Sequence, residues 1–165
     1  VLPPPNQFFI EAAVGWLELG NPREALIELD QLDASLRNCA QALGVEWGIR
    51  AALSEWETAL KIAKTLIEID PANPSGWIHL GYSSRRVPGG TVLDAWNNLL
   101  SGAARFPREP IIAFNLACYA CQMNRLDKAR AWFHRATESG DRKEILKMGL
   151  AEKDLEPLWS EIKKL

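Results

Sequence analysis

An all-α fold built from stacked helix pairs is what this 165-residue sequence predicts, and three observations predict it. Apolar residues recur at three- and four-residue spacings between Gly and Pro breaks, the pattern of amphipathic helices. No segment alternates with period two for long enough to argue a strand. Ala25, Ala59, Ala95 and Ala129 recur in corresponding helical segments at intervals of 34, 36 and 34 residues. A period of this length marks a helix–turn–helix unit that cannot bury its apolar face alone and stacks on its copies.

The predicted helices run roughly over 7–19, 22–33, 38–53, 56–68, 75–86, 91–104, 110–123 and 126–138, with shorter pieces after 141. The second helix of each pair carries the recurrent alanine, in P-R-E-A-L-I-E-L, E-T-A-L-K-I-A, V-L-D-A-W-N-N-L-L and L-D-K-A-R-A-W-F. The two extra residues of the second interval fall in the third repeat at Pro88, Gly89 and Gly90, where they lengthen a turn. After residue 140, Leu146, Leu150, Leu155, Leu158, Trp159 and Ile162 form an apolar stripe with lysines facing water. That segment reads as the terminal cap a row of repeats needs, with Asp154 at the N-terminus of its last helix and Pro157 in the first turn. An amphipathic helix for a partner is the other reading of the same stripe.

These residues resemble the tetratricopeptide repeat family. Trp77, Leu80 and Gly81 in W-I-H-L-G-Y match its aromatic and Leu-Gly positions, and the four alanines match its small crossing residue. Leu29, Leu99 and Phe133 follow four positions later as the larger apolar residue, and Pro71 and Pro107 close their repeats. Small side chains let two helix backbones approach, and Pro stops the helix it follows. The resemblance covers roughly residues 6 to 138 and is weakest in the second repeat. There Trp47 holds the small position and Arg50 an apolar one, so a shifted register is expected; Arg37 stands where the first repeat's closing Pro belongs. The resemblance implies a right-handed α-solenoid of about four repeats over 1–139 (roughly 6–39, 40–73, 74–109 and 110–139) with a helical cap over 140–165.

Charge and composition exclude some partners. A formal net charge of -2 offers no basic excess to neutralise nucleic-acid phosphates. No apolar run approaches a membrane span, and V-L-P-P-P is not a secretory leader. Val rather than Met stands first, so a longer parent chain is expected to be compatible with this sequence. Three cysteines fit a reducing compartment, the cytoplasm by default.

Cys118 and Cys121 in F-N-L-A-C-Y-A-C-Q have the spacing of a metal or redox pair. A structural zinc needs four ligands, and the remaining candidates Cys39, His79 and His134 supply no second tight pair. A redox pair sits at a helix N-terminus, whereas these thiols fall mid-helix, with Leu116 and Ala117 at the family's Leu and small positions. No catalytic residue, cofactor or metal is therefore expected. Trp16, Trp56, Trp77, Trp96 and Trp132 read as core, and Trp47 as a surface-lining residue.

In the tetratricopeptide family the first helix of each repeat lines a concave groove for peptides or single helices. The resemblance places Glu11, Val14 and Glu18, then Val45, Gly48 and Ala52, on that face in the first two repeats. In the last two it places His79, Tyr82, Arg85, Arg86, Phe114, Asn115, Cys118, Cys121 and Gln122 there. Arginine forks suit carboxylates, and Asn clamps a peptide backbone. The expected function is a non-catalytic scaffold or adaptor binding a protein partner. The alternatives are a chaperone for a secreted or assembly substrate, or an enzyme or ligand-binding protein using Cys118. Phe8 and Phe9, with no cap before them, also point to self-association through the first helix.

Overall fold

Local chemistry sets where each helix begins and ends in the computed structural model, which describes residues 2–165. Among the described residues there are ten α-helices, one 3-10 helix and no strand. Helices α1 (Asn6–Glu18) and α2 (Pro22–Leu29) form the first pair, α3 (Ala40–Ala52) and α4 (Trp56–Ile69) the second. Then come α5 (Ser75–Ser84), α6 (Val92–Arg105), α7 (Pro110–Gln122) and α8 (Leu126–Ser139). The C-terminal segment holds α9 (Arg142–Ala151), the 3-10 helix Lys153–Leu158 and α10 (Trp159–Ile162). Pro22 and Pro110 occupy first-turn positions, where no N–H is needed. Thr91 and Asp94 form a reciprocal capping box on α6, and Asp141 caps α9 by accepting from the Glu144 N–H at 3.1 Å.

The turn inside each pair passes through a left-handed residue: Gly20, Ser54, Gly89 and Asn124, with φ of 75°, 60°, 76° and 55°. In three of the four the next residue donates back to a carbonyl of the helix just ended. Asn21 N–H meets Trp16 O, Glu55 meets Arg50 O and Arg125 meets Ala120 O, all at 2.8 Å. The end of α2 differs from expectation. The helix stops at Leu29 rather than near 33, and the Arg37 guanidinium donates to the carbonyls of Asp30 (2.6 Å) and Leu32 (3.2 Å).

The chain divides into two packed units, one ending at His79 and one beginning at Leu80, with the boundary inside α5. In the N-terminal unit Ile10, Ala13, Ala25, Leu29, Leu32, Ala42 and Ile49 form one buried cluster, and Leu43, Ile62 and Leu66 a second. The buried Asn6 amide ties α1 to the loop after α2, donating to the Asp33 carboxylate at 2.7 Å and accepting the Asp33 N–H at 2.9 Å. Helix α3 turns Ile49, not Arg50, into the core. Arg50 instead reaches Glu46 (3.1 Å) and Glu55 (2.7 Å), and Trp47 lies half-buried.

In the C-terminal unit α6, α8 and the 3-10 helix all pack on α7. A helix flanked on three sides needs apolar residues all round, and α7 buries Ile112 to Phe114 and Leu116 to Cys121. Leu155, Leu158 and Ile162 are buried with Ile145, completing the packing of the C-terminal segment. Leu150 of the expected stripe is 38% exposed; Gly149 is buried in its place, with the Phe133 ring 2.7 Å from where a Cβ would lie. The Trp159 indole N–H donates to the Gly149 carbonyl at 2.9 Å. Trp96 is buried, while Trp16, Trp56, Trp77 and Trp132 are only half-buried.

Ala25, Ala59, Ala95 and Ala129 each have 0% exposure, so a larger side chain at any of them has no space to enter. Ala129→Leu is expected to destabilise the protein by about 2–3 kcal/mol through overpacking, whereas Ala131→Leu on the exposed face of α8 should change stability by about 0.5 kcal/mol or less. Urea denaturation of the two variants checks the contrast; equal stabilities would contradict the close crossing.

Candidate functional site

The N-terminal unit holds an open-sided cavity of about 580 Å³. Its floor is made by α3, where Gly44 and Gly48 stand one turn apart and present no side chain. A Cβ on Gly44 would meet nothing within 4 Å, and one on Gly48 would reach Leu17 at 3.4 Å. Val14 and Leu17 of α1, Val45 of α3 and Leu66 of α4 supply apolar walls. Val14, Val45 and Gly48 stand on the first-helix face that the repeat pattern marked. Leu17 and Gly44 escaped the sequence reading, although two glycines four apart in an apolar helix are a legible sign of a furrow.

The polar rim comes from the start of α5 and the turn before it. Asn73 accepts the Ser75 N–H at 2.9 Å and the Ser75 hydroxyl at 2.6 Å, which fixes the entry into α5. Its amide donates to Asp70 at 3.2 Å, and Asp70 is the sole charged side chain lining the cavity among the described residues. His79 lies against Trp47 with ring centroids 3.8 Å apart and planes at 11°. Burial pushes the His79 imidazolium pKa down to about 4, so the ring is neutral at physiological pH. The cavity is therefore apolar with one negative charge at its edge.

The C-terminal unit brings together Tyr82, Arg85, Arg86 and Tyr119. The Arg86 guanidinium lies 3.5 Å from the Tyr82 ring centre, and Arg85 lies 5.4 Å from that of Tyr119. Burial, with Arg85 beside it, pushes Arg86 down, and burial pushes the Tyr119 phenol up to about 12. Asp154 does not cap a helix as expected. Its carboxylate accepts from Arg85 at 3.4 Å and from the Gln122 amide, while Glu152 caps the 3-10 helix instead. Phe114 and Cys118, expected on an open face, are only 5% and 3% exposed. Phe114 packs near Phe133 with ring centroids 6.2 Å apart, and Cys118 lies on α7, which the 3-10 helix covers. Asn115 is half-buried and Gln122 exposed. Burial pushes both the Cys118 and the Cys121 thiols up, away from thiolate. Among the described residues no three His, Cys, Asp or Glu side chains gather to hold a metal ion, and no helix is long and apolar enough to cross a membrane.

The neutral, stacked state of His79 has a measurable consequence. The unfolded ring takes a proton near pH 6.5 and the folded one only near 4, so the unfolded state binds more protons between those values. Stability from this group is complete above pH 6.5 and lost as pH falls towards 4, by roughly 3 kcal/mol at most. His79→Phe, which keeps a ring against Trp47, should lose that part of the acid destabilisation in urea titrations at pH 7 and 4.5. An unchanged pH dependence would contradict a buried neutral imidazole.

No protein-family model matches the chain, and no curated protein matches it in sequence. Solved structures do match. MamA 41-end from Desulfovibrio magneticus RS-1 is 14% identical with a TM-score of 0.65, over 100% of this chain and 97% of that one. A double mutant of MamA RS-1 is 14% identical with a TM-score of 0.65, over 85% and 77%. PcrH, solved in complex with the chaperone binding region of PopB, is 20% identical with a TM-score of 0.54, over 81% and 97%. At these identities the likeness is one of fold: an all-α helical solenoid of the tetratricopeptide type.

Proposed function

We propose that this chain is a non-catalytic protein-interaction module that holds a peptide or helix of a partner protein in the cavity between α1, α3 and the start of α5. The observation that carries the proposal is the floor of Gly44 and Gly48 beneath apolar walls. A furrow without side chains lets a guest backbone come close, and Val14, Leu17, Val45 and Leu66 offer contact to two or three apolar side chains. Asp70 at the rim favours a guest with a cationic residue beside its apolar anchors. The likeness in fold to PcrH, whose structure holds the chaperone binding region of PopB, supports a protein ligand.

The experiment is a selection of displayed random peptides on the chain, with Gly44→Leu as the discriminating variant. A Cβ on Gly44 meets nothing within 4 Å and a better helix former replaces a mid-helix glycine, so the variant should be more stable by about 0.5–1 kcal/mol. It should nevertheless bind the selected apolar, basic peptides at least tenfold more weakly. Gly15→Leu on α1, outside the cavity lining, serves as the control and should leave affinity unchanged. Peptides that bind Gly44→Leu as well as the parent would place the ligand elsewhere.

Buried thiols of raised pKa do not suit a nucleophile, which weighs against an activity centred on Cys118. In the native protein at pH 7.5, Cys118 and Cys121 should alkylate with N-ethylmaleimide at least about a hundredfold more slowly than in urea, with half-buried Cys39 reacting first. Rapid native modification of Cys118 would favour the thiol-dependent alternative.

A further inference from the structure

Helix α8 sorts its charges by face. Lys128, Trp132 and Arg135 stand four and three residues apart, so they form one stripe. The two acidic residues of the helix stand on another, Asp127 with Arg130 at 2.9 Å and Glu138 with the His134 ring at 3.2 Å. Among the described residues no carboxylate forms an ion pair with Lys128 or Arg135. Arg135 is held by a neutral group instead. Its guanidinium donates to the Pro107 carbonyl at 3.0 and 2.7 Å and lies 5.1 Å from the centre of the Trp132 ring, so it is fixed in place with its charge uncancelled. The Lys128 Nζ lies 5.8 Å from the centre of the Trp96 ring, and the two indoles meet edge to face at 6.4 Å.

Helix α6 supplies an apolar flank beside this stripe. Leu93, Leu100 and Ala104 share one of its faces, and Leu93 and Ala104 are exposed. Between the two helices lies a hollow of about 400 Å³, lined by Leu100, Ala103 and Ala104 of α6, Pro107 of the following turn, and Trp132 and Arg135 of α8. The nearby acidic groups are already used by the backbone. Asp94 belongs to the capping box with Thr91, and Glu109 accepts the Ile111 N–H at 3.2 Å at the start of α7. Arg108, next to Pro107, is exposed. The hollow therefore has an apolar wall, a cationic edge and no carboxylate in its lining, in a chain whose net charge is -2.

We propose that the hollow between α6 and α8 is a docking site for an acidic amphipathic peptide segment of a partner protein. Apolar side chains of that segment, three or four residues apart, enter the hollow against Leu100, Ala104 and Pro107, and its carboxylates meet Lys128 and Arg135. A recess suits such side chains better than a lipid surface, which takes apolar residues that project. Trp96 is buried and Trp132 carries Arg135 over its ring, which leaves little of either indole for stacking a nucleic-acid base. Every residue of the site belongs to the C-terminal unit, and none lines the cavity floored by Gly44 and Gly48. The two sites also prefer guests of opposite charge, basic beside Asp70 and acidic beside Arg135, so either can fail without the other.

The test selects displayed random peptides on the full chain carrying Gly44→Leu, which puts a side chain into the first cavity. The enriched peptides should be acidic with apolar residues three or four apart, and should bind at least about tenfold more tightly in about 50 mM than in about 500 mM salt. Adding Lys128→Glu should weaken them at least tenfold, and so should Ala104→Phe, which fills the hollow without changing charge. Both positions are exposed, so the fold tolerates the changes, as circular dichroism checks. Arg23→Glu, exposed on α2, makes the same change in charge as Lys128→Glu and should leave affinity unaltered. Failure to enrich any peptide, enrichment without acidic residues, or undiminished binding to both variants would overturn the proposal. It would also be overturned if no acidic peptide were enriched while Lys128→Glu weakened binding to single-stranded DNA or to vesicles of equal parts phosphatidylserine and phosphatidylcholine. The face would then serve a nucleic acid or a lipid.

Discussion

Everything in this molecule depends on how closely two helices can cross. At Ala25, Ala59, Ala95 and Ala129 no solvent reaches the side chain, as a close crossing of paired helices requires. At that approach the apolar residues four positions on, Leu29, Leu99 and Phe133, fill the space beside the crossing. The turn must then be short, and each pair makes it through one left-handed residue. Glycine serves twice and Ser54 and Asn124 do the same work, so backbone geometry repeats where side-chain identity does not.

Given that crossing, the first helix of each pair has one face committed to its partner and another left to be used. In the N-terminal unit α3 leaves its free face hollow, because glycines stand at two successive turns. The hollow is apolar, with Asp70 at the edge and a neutral His79 held against Trp47. In the C-terminal unit α7 is covered by the chain itself, with the 3-10 helix Lys153–Leu158 packed on it and Asp154 on Arg85.

Much of this was legible in the residues. Apolar spacing and Gly/Pro punctuation placed the helices within a few residues, because both are local properties of the backbone. The alanine period located the crossings for the same reason. The contents of the α7 face were not legible. Phe114 and Cys118, expected on an open face, are both buried: Phe114 packs near Phe133 of α8, and the 3-10 helix Lys153–Leu158 packs on α7. That packing rests on contacts such as Arg85 with Asp154, across 69 residues, which no local period encodes. Asp154 read as a cap because acidic residues before a helix usually are; the 3-10 turn, capped by Glu152, frees it for Arg85 and Gln122. The cavity was half legible. Val14, Val45 and Gly48 stood on the face the repeat marks, while Asp70 and Asn73 lie in a turn outside it.

The reading proposed for this chain puts a guest in the glycine-floored hollow of α3. A titration of the 15N-labelled chain with a selected peptide tests it most directly, by following backbone amide signals residue by residue. A guest in the hollow should give shifts confined to Val14, Leu17, Gly44, Val45, Gly48 and the start of α5, saturating together with one dissociation constant. Shifts centred on the outer faces of α2 and α4, with Gly44 and Gly48 unmoved, would contradict it.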